Sequence, residues 1–260
     1  QALEAACWIA IRRASRVVFA GDHCQLPPTV KSLAALKGGL GTTLMERIVA
    51  RKPSVVTLLT VQYRMNEQIM RFSSNWFYDG RVESAPEVKY RGILDYDNPI
   101  TWIDTSDTDA KEEFVGESFG RINKVEAELT LDALKNYFTK IGRQRIADEH
   151  IDVGVISPYR AQVQLLRRMV RKDEFFKPYR KCVTVNTVDG FQGQERDIIV
   201  ISLVRSNDDG QIGFLSDLRR MNVAITRARM KLIIVGSVQT MTRHAFYKEL
   251  YDYVQESAGM

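Results

Sequence analysis

Short β-branched runs alternate with amphipathic stretches along nearly the whole chain. The runs fall at Arg16–Ala20, Val55–Leu59, Ile100–Asp104, Ile151–Ile156, Cys182–Val185, Ile198–Val204 and Lys231–Val235, each the length of one strand. Between them, apolar residues recur at helical spacing over Leu44–Ala50, Asn66–Tyr78, Ile122–Thr139, Ala161–Val170, Leu218–Ala228 and Thr242–Val254. Gln1 to Arg13 also reads as a helix, with Leu3, Ala6, Cys7 and Ala10 on one stripe, and a helix already under way at the first residue is expected of an excerpt from a longer protein. A strand as uniformly apolar as Ile198-Ile199-Val200-Ile201 is buried on both faces. That predicts an α/β fold with a mostly parallel sheet flanked by helices. In such sheets ligands meet the loops at the carboxyl ends of the strands, so chemistry is expected there. Residues 81–120, rich in Asp, Glu, Ser and Gly, break the alternation and are expected to form a surface excursion.

Composition narrows the class without choosing a function. With 260 residues, 45% hydrophobic and 27% charged, the chain has the make-up of a soluble globular protein large enough to build a core without disulfides or metal. The three cysteines, Cys7, Cys24 and Cys182, are far apart and odd in number, which points to a reducing compartment, cytoplasm or nucleus. His23, His150 and His244 are not at metal-ligand spacing, so no zinc site is expected. No apolar run is long enough to span a membrane and no signal peptide is evident. A net charge of +5 and a pI near 9.1 suit a polyanionic partner but are also common in proteins that bind none.

Four segments carry candidate chemistry. In Gly21-Asp22-His23-Cys24-Gln25-Leu26-Pro27-Pro28 the string satisfies a capped turn, or else the Gln25 amide holds a water and a phosphate oxygen together. In Val61-Gln62-Tyr63-Arg64-Met65, Tyr63 offers a flat face for a purine and Arg64 a permanent planar cation, though Tyr63 could equally be core. In Val188-Asp189-Gly190-Phe191-Gln192-Gly193-Gln194-Glu195, glycines at 190 and 193 allow close approach of a ligand, and Glu195 can accept from sugar hydroxyls; a plain loop is the other reading. In Asn222-Val223-Ala224-Ile225-Thr226-Arg227-Ala228-Arg229, the apolar residues face the core, while Arg227 and Arg229 either complement a helix dipole or reach a ligand.

In this order and at these separations the four segments resemble motif III, the arginine-bearing motif that opens the second RecA-like domain, motif V and motif VI of superfamily 1 helicases. The similarity is strongest to the branch containing the nonsense-mediated decay helicase, senataxin and the immunoglobulin mu-binding helicase. It implies a RecA-like P-loop NTPase-type fold lacking the P-loop itself, with residues 1–52 a remnant of the first RecA-like domain and linker, and 53–260 the second domain. It implies that Gln25 couples the γ-phosphate to nucleic acid, that Tyr63 stacks on adenine, that Arg64 and Arg227 act as arginine fingers, and that Glu195, beside the Gly193 turn, contacts the ribose. Pro158, Tyr159, Thr187, Val188 and Asp189 occupy family positions that touch the strand of a single-stranded RNA or DNA. A motif V reading Phe191-Gln192-Gly193-Gln194-Glu195 places the chain in the branch whose members usually move 5′ to 3′.

Neither a P-loop nor a Walker B acid pair is present in the sequence. Gly38-Gly39-Leu40-Gly41-Thr42-Thr43 has no lysine where one is required and reads as a loop. The resemblance therefore implies ATP and Mg2+ as cofactors of a complete motor whose magnesium ligands lie on a missing N-terminal RecA-like domain, and an isolated chain that neither hydrolyses ATP nor unwinds. The alternative is a nucleic-acid or protein binding module without motor activity.

Overall fold

The computed structural model describes residues 2–116 and 120–258; Gln1, at the head of the expected first helix, and 117–119, within the expected excursion, lie outside the described residues. The chain divides between Leu59 and Thr60, somewhat later than the boundary expected after residue 52.

The first unit holds α1 (Glu4–Ile11), α2 (Leu33–Ala35) and α3 (Leu44–Arg51). Thr43 starts α3 with a reciprocal cap: its hydroxyl accepts from Glu46 N–H at 3.1 Å and the Glu46 carboxylate accepts from Thr43 N–H. In the glycine segment expected to form a loop, the helical turn Leu36–Leu40 kinks at Gly39, whose φ of 91° favours glycine. Neither Arg16–Ala20 nor Val55–Leu59 is a strand. The reason is pairing: a strand satisfies its backbone groups only beside another strand, and this unit has none among the described residues. Val18 is left 92% exposed and Leu59 83%, and Leu26 is the unit's one buried hydrophobic among the described residues.

The second unit runs β1 (Val61–Gln62), α4 (Glu67–Phe77), β2 (Glu83–Ser84), α5 (Pro86–Lys89), β3 (Ile100–Asp104), β4 (Glu113–Val115) and β5 (Gly120–Ile122). It continues with α6 (Lys124–Ile141), α7 (Arg143–Asp148), β6 (Val153–Ser157), α8 (Arg160–Lys172), β7 (Val183–Thr187) and β8 (Arg196–Ser202). It closes with α9 (Leu218–Ile225), β9 (Ala228–Gly236), α10 (Val238–Met241) and α11 (Ala245–Ala258). Five strands form one parallel sheet in the order β3-β9-β8-β6-β7. This is the α/β architecture that the uniformly apolar runs predict. The central strands β6 and β8 are buried almost throughout, covered on one face by Leu131, Leu134 and Phe138 of α6 and Val163 and Leu166 of α8. An aromatic cluster joins α4 to α11, with the Phe246 ring 5.2 Å from Phe72 and 5.0 Å from Trp76.

Residues 81–120 are more than a surface excursion. They supply β3 as a sheet edge in register with β9, and Ala85, Val88, Ile93, Ile100, Trp102 and Ala110 are buried. Burial of Trp102 is possible because its indole N–H donates to the Gly236 carbonyl at 3.0 Å.

Since every strand of the sheet is parallel, each connection must return from the carboxyl edge to the amino edge. The shortest, between β7 and β8, lies on the sheet through Phe191, which is fully buried. A Cβ at Gly154 of β6 would sit 2.8 Å from the Phe191 ring, so the glycine makes this close crossing possible. Among the described residues no helix is long and apolar enough to cross a membrane, and Cys7, Cys24 and Cys182 are free thiols.

Candidate functional site

Chemistry was expected at the carboxyl ends of the strands, but Arg64, Glu195 and Arg227 gather at the amino edge, where β8 begins at Arg196 and β9 at Ala228. The correction follows from chain direction: motif V ends, and motif VI nearly ends, just before its strand starts. The turn after β1 is shaped by Gln62. Its amide oxygen accepts from the N–H groups of Arg64 and Met65, both at 2.7 Å, and its amide nitrogen donates to the Met65 carbonyl at 2.8 Å. The backbone N–H of Asn66 then donates to Arg229 O at 2.9 Å and hooks the turn onto the start of β9.

The Arg64 guanidinium meets the Glu195 carboxylate through Nε and the Thr226 carbonyl through Nη1 at 3.1 Å. Its side chain is 34% exposed and that of Glu195 41%, so this ion pair is open to exchange. Tyr63 is 68% exposed. Gly193 has φ +78° and open space where a side chain would begin. Behind them Arg229 joins Glu195 at 3.7 Å, Asp152 at 3.1 Å and Asp197 at 2.9 Å. Burial pushes the Asp197 carboxyl above its ordinary range, and burial, then Arg229, pulls Arg91 down. An exposed ring, an exchangeable guanidinium and an open glycine turn fit a nucleotide. The three carboxylates do not fit a magnesium ion, because each already faces a guanidinium.

Arg227, which the resemblance makes an arginine finger like Arg64, is instead turned away from solvent. It meets Arg64 at Thr226, but it is 2% exposed and donates to Val223 O at 3.0 Å, Gln194 O at 3.1 Å and Thr226 Oγ1 at 3.0 Å. The cause is local: α9 stops at Ile225, its last carbonyls need donors, and Arg227 turns back to supply them.

Gln25 belongs to the first unit. Its amide nitrogen donates to Asp22 Oδ2 at 2.7 Å, and Asp22 Oδ1 accepts from Cys24 N–H at 2.9 Å, the arrangement of a capped turn. Gly21, Asp22, Gln25, Thr43 and Glu46 line a cavity of about 100 Å³. The ligand atoms of Asp22, His23 and Cys24, consecutive in sequence, lie within 4.8 Å of one another.

The candidate nucleic-acid residues cluster at the opposite, carboxyl edge, where β6 ends at Ser157 and β7 at Thr187. Asp189 is exposed, Pro158 and Thr187 are half-buried, and Val188 is buried. Tyr159 is only 3% exposed, so its ring is a packing element and not a free contact surface. Beneath this edge lies a polar network that periodicity cannot reveal. Glu126 Oε1 accepts from Ser202 Oγ at 2.6 Å and Val204 N–H at 2.7 Å, while the Gln162 amide braces Asn123 and Ser202. Complete burial pushes the Glu126 carboxyl up to about 8, so it is largely neutral at pH 7. Glu112 ties Arg205 at 2.6 Å and Arg121 at 2.5 Å, with side-chain exposures of 10%, 3% and 15% respectively. Arg91, Asp152, Asp197 and Glu112 were missed from sequence because isolated charges in unremarkable stretches show no spacing signal.

Comparison with known proteins places the chain in a family. A family model described as an AAA domain matches residues 40–239, and a second AAA domain model matches residues 1–33. DNA-binding protein SMUBP-2 of Mesocricetus auratus is 37% identical, the match covering 98% of this chain and 26% of that protein. An ATP-dependent helicase of Methanocaldococcus jannaschii is 36% identical, with 98% and 37% covered. DNA polymerase alpha-associated DNA helicase A of Saccharomyces cerevisiae is 33% identical, with 100% and 40% covered. The chain therefore spans between 26% and 40% of the length of these relatives. It belongs to the AAA domain family of superfamily 1 helicases, in the branch with the immunoglobulin mu-binding helicase, and corresponds to the C-terminal part of their motor.

Proposed function

We propose that this chain is the second RecA-like half of an ATP-dependent 5′-to-3′ helicase acting on single-stranded RNA or DNA, with Arg64 as its arginine finger. The observation that carries the reading is the meeting of three segments remote in sequence: Arg64 beside Glu195 and the Thr226 carbonyl. The exposed apolar residues of the first unit, Ile9, Val18 and Leu59 among them, support its assignment to a first RecA-like lobe whose remaining strands would cover them.

Hydrolysis of the γ-phosphate is the chemistry that ATP supplies, and magnesium would be held by residues of the first lobe. In this chain Tyr63 stacks on the base, and Glu195 exchanges Arg64 for the ribose hydroxyls. Arg64, released toward the phosphates, stabilises the charge that develops in phosphoryl transfer, a contribution on the order of 10³–10⁵ in rate. Arg227 positions this machinery by holding the Gln194 and Val223 carbonyls, and it becomes a second finger only by exchanging them for phosphate oxygens. Gln25 couples the γ-phosphate to the nucleic-acid strand from the first unit. Pro158, Thr187 and Asp189 follow the strand backbone, and the buried Val188 packs beneath them.

The test is nucleic-acid-stimulated ATP turnover by the 260-residue chain alone and by the chain joined to its N-terminal lobe, with unwinding of 5′-tailed and 3′-tailed duplexes. No turnover by the chain alone, and turnover with preference for the 5′ tail in the joined form, is expected. A joined form that binds nucleic acid but turns over no ATP would point to a binding module and refute the motor.

A further inference from the structure

At the carboxyl edge the ring that reaches solvent is Phe214, not Tyr159. It stands in the turn Gly213–Ser216 before α9, 53% exposed, while Ile212 and Leu215 on either side of it are buried. Those anchors, together with the Tyr247 hydroxyl donating to Leu215 O at 2.8 Å, fix the exposed ring in place. The buried Tyr159 ring lies against it, centroids 5.5 Å apart, and the Arg220 guanidinium is 5.9 Å from its centroid. Gly213, at φ +57°, permits this packing, since a Cβ there would fall 2.6 Å from the Tyr159 hydroxyl.

A second exposed ring also stands beside a guanidinium. Phe114 of β4 is 67% exposed, with the Arg121 guanidinium 3.9 Å above its centroid. One carboxylate ties both assemblies together: Glu112 holds Arg121, and it holds Arg205, whose Nη1 is 3.3 Å from the Tyr159 hydroxyl beneath Phe214. Leaving two large rings in water is unfavourable unless something covers them. A flat apolar face beside a guanidinium fits an unpaired base, whose own π-face stacks on the ring while its phosphate meets the cation.

We infer that Phe214 and Phe114 are base-stacking ledges for single-stranded nucleic acid, a role that rests on the reading of the carboxyl edge as the nucleic-acid face. Stacking of this kind tolerates any sequence and needs no hydrogen bond to a base edge. Arg220 serves the neighbouring phosphate, Arg121, tied to Glu112, fixes the Phe114 ring, and Tyr159 positions Phe214 without touching the strand.

The experiment titrates the protein with single-stranded 15-nucleotide DNA and RNA carrying one 2-aminopurine at successive positions, over a range of salt. The unaltered protein is expected to bind both and to quench the probe at particular positions. Phe214→Ala weakens binding roughly tenfold and abolishes the quenching at one position, with the salt slope unchanged because no phosphate contact is lost. Phe214→Leu keeps the apolar bulk but lacks the π-face, so it reproduces the loss without risk to folding, whereas Phe214→Trp restores binding. Phe114→Ala removes quenching at a different position. Salt-dependent binding with affinity and quenching unchanged in Phe214→Leu overturns the stacking role and leaves the nucleic-acid face standing. Absence of binding by the unaltered protein overturns both.

Discussion

The two edges of the five-stranded sheet both pair arginine with glutamate, but in opposite surroundings. At the amino edge the Arg64–Glu195 pair is 34% and 41% exposed and lies beside an open glycine turn. At the carboxyl edge the Arg205–Glu112 pair is 3% and 10% exposed and sits over a dry network around Glu126. An exposed pair is worth little to stability and can be traded for another ligand, whereas a buried pair cannot be opened without stranding a charge. Accessible arginine is therefore available for chemistry at one edge, and arginine at the other edge holds aromatic rings in position.

Substitutions can break this contrast. The largest effect is expected from Arg64→Ala in the motor joined to its N-terminal lobe: ATP turnover falls by about 10³ or more, while urea denaturation shifts by less than about 1 kcal/mol. A variant that loses stability and turnover together would erase the distinction between the edges. Glu112→Gln is the mirror experiment. It leaves the Arg205 charge buried, so unfolding free energy is expected to drop by about 3–5 kcal/mol.

Gly154→Ala probes the connection that runs between the edges. Its new Cβ would fall 2.7 Å from the Ile199 side chain and 2.8 Å from the Phe191 ring. A stability loss of about 1–3 kcal/mol is expected from such overpacking, with motif V displaced at both of its ends.

Glu126→Gln sharpens the account of the carboxyl edge through pH. The Glu126 carboxyl titrates at about 8 in the folded chain against an ordinary value of 4.5. Between those values the unfolded chain has already released a proton that the folded chain still binds, so stability falls as pH rises through this window. The Gln variant lacks that slope. Its melting temperature relative to the unaltered protein is expected to climb from pH 5 to pH 8 and then level off, and a pH-independent difference would contradict the burial argument.

Sequence revealed the sheet where strands are apolar on both faces: β6 and β8 are obvious in Val153–Ile156 and Ile198–Ile201. It failed at Arg16–Ala20 and Val55–Leu59, because residue preference cannot supply a strand with a neighbour. Motif resemblance selected Arg64 and Glu195 but could not show that they face each other, since their 131-residue separation has no local signal. It also gave Arg227 a projecting side chain, where the end of α9 draws it inward. Tyr159 and Phe214 illustrate the same limit: both are aromatic, and only packing distinguishes the buried ring from the exposed one.

The central claim is that nucleotide occupies the amino edge and nucleic acid the carboxyl edge of one sheet. Photo-crosslinking tests it most directly, with 8-azido-ATP and a 5-iodouracil oligonucleotide applied to the motor joined to its N-terminal lobe and the adducts mapped by mass spectrometry. The account predicts that, within this chain, nucleotide adducts fall at Tyr63 or in 193–195 and oligonucleotide adducts at Phe214, Phe114 or in 187–189. Nucleotide adducts at the carboxyl edge, or oligonucleotide adducts around Tyr63, would contradict it.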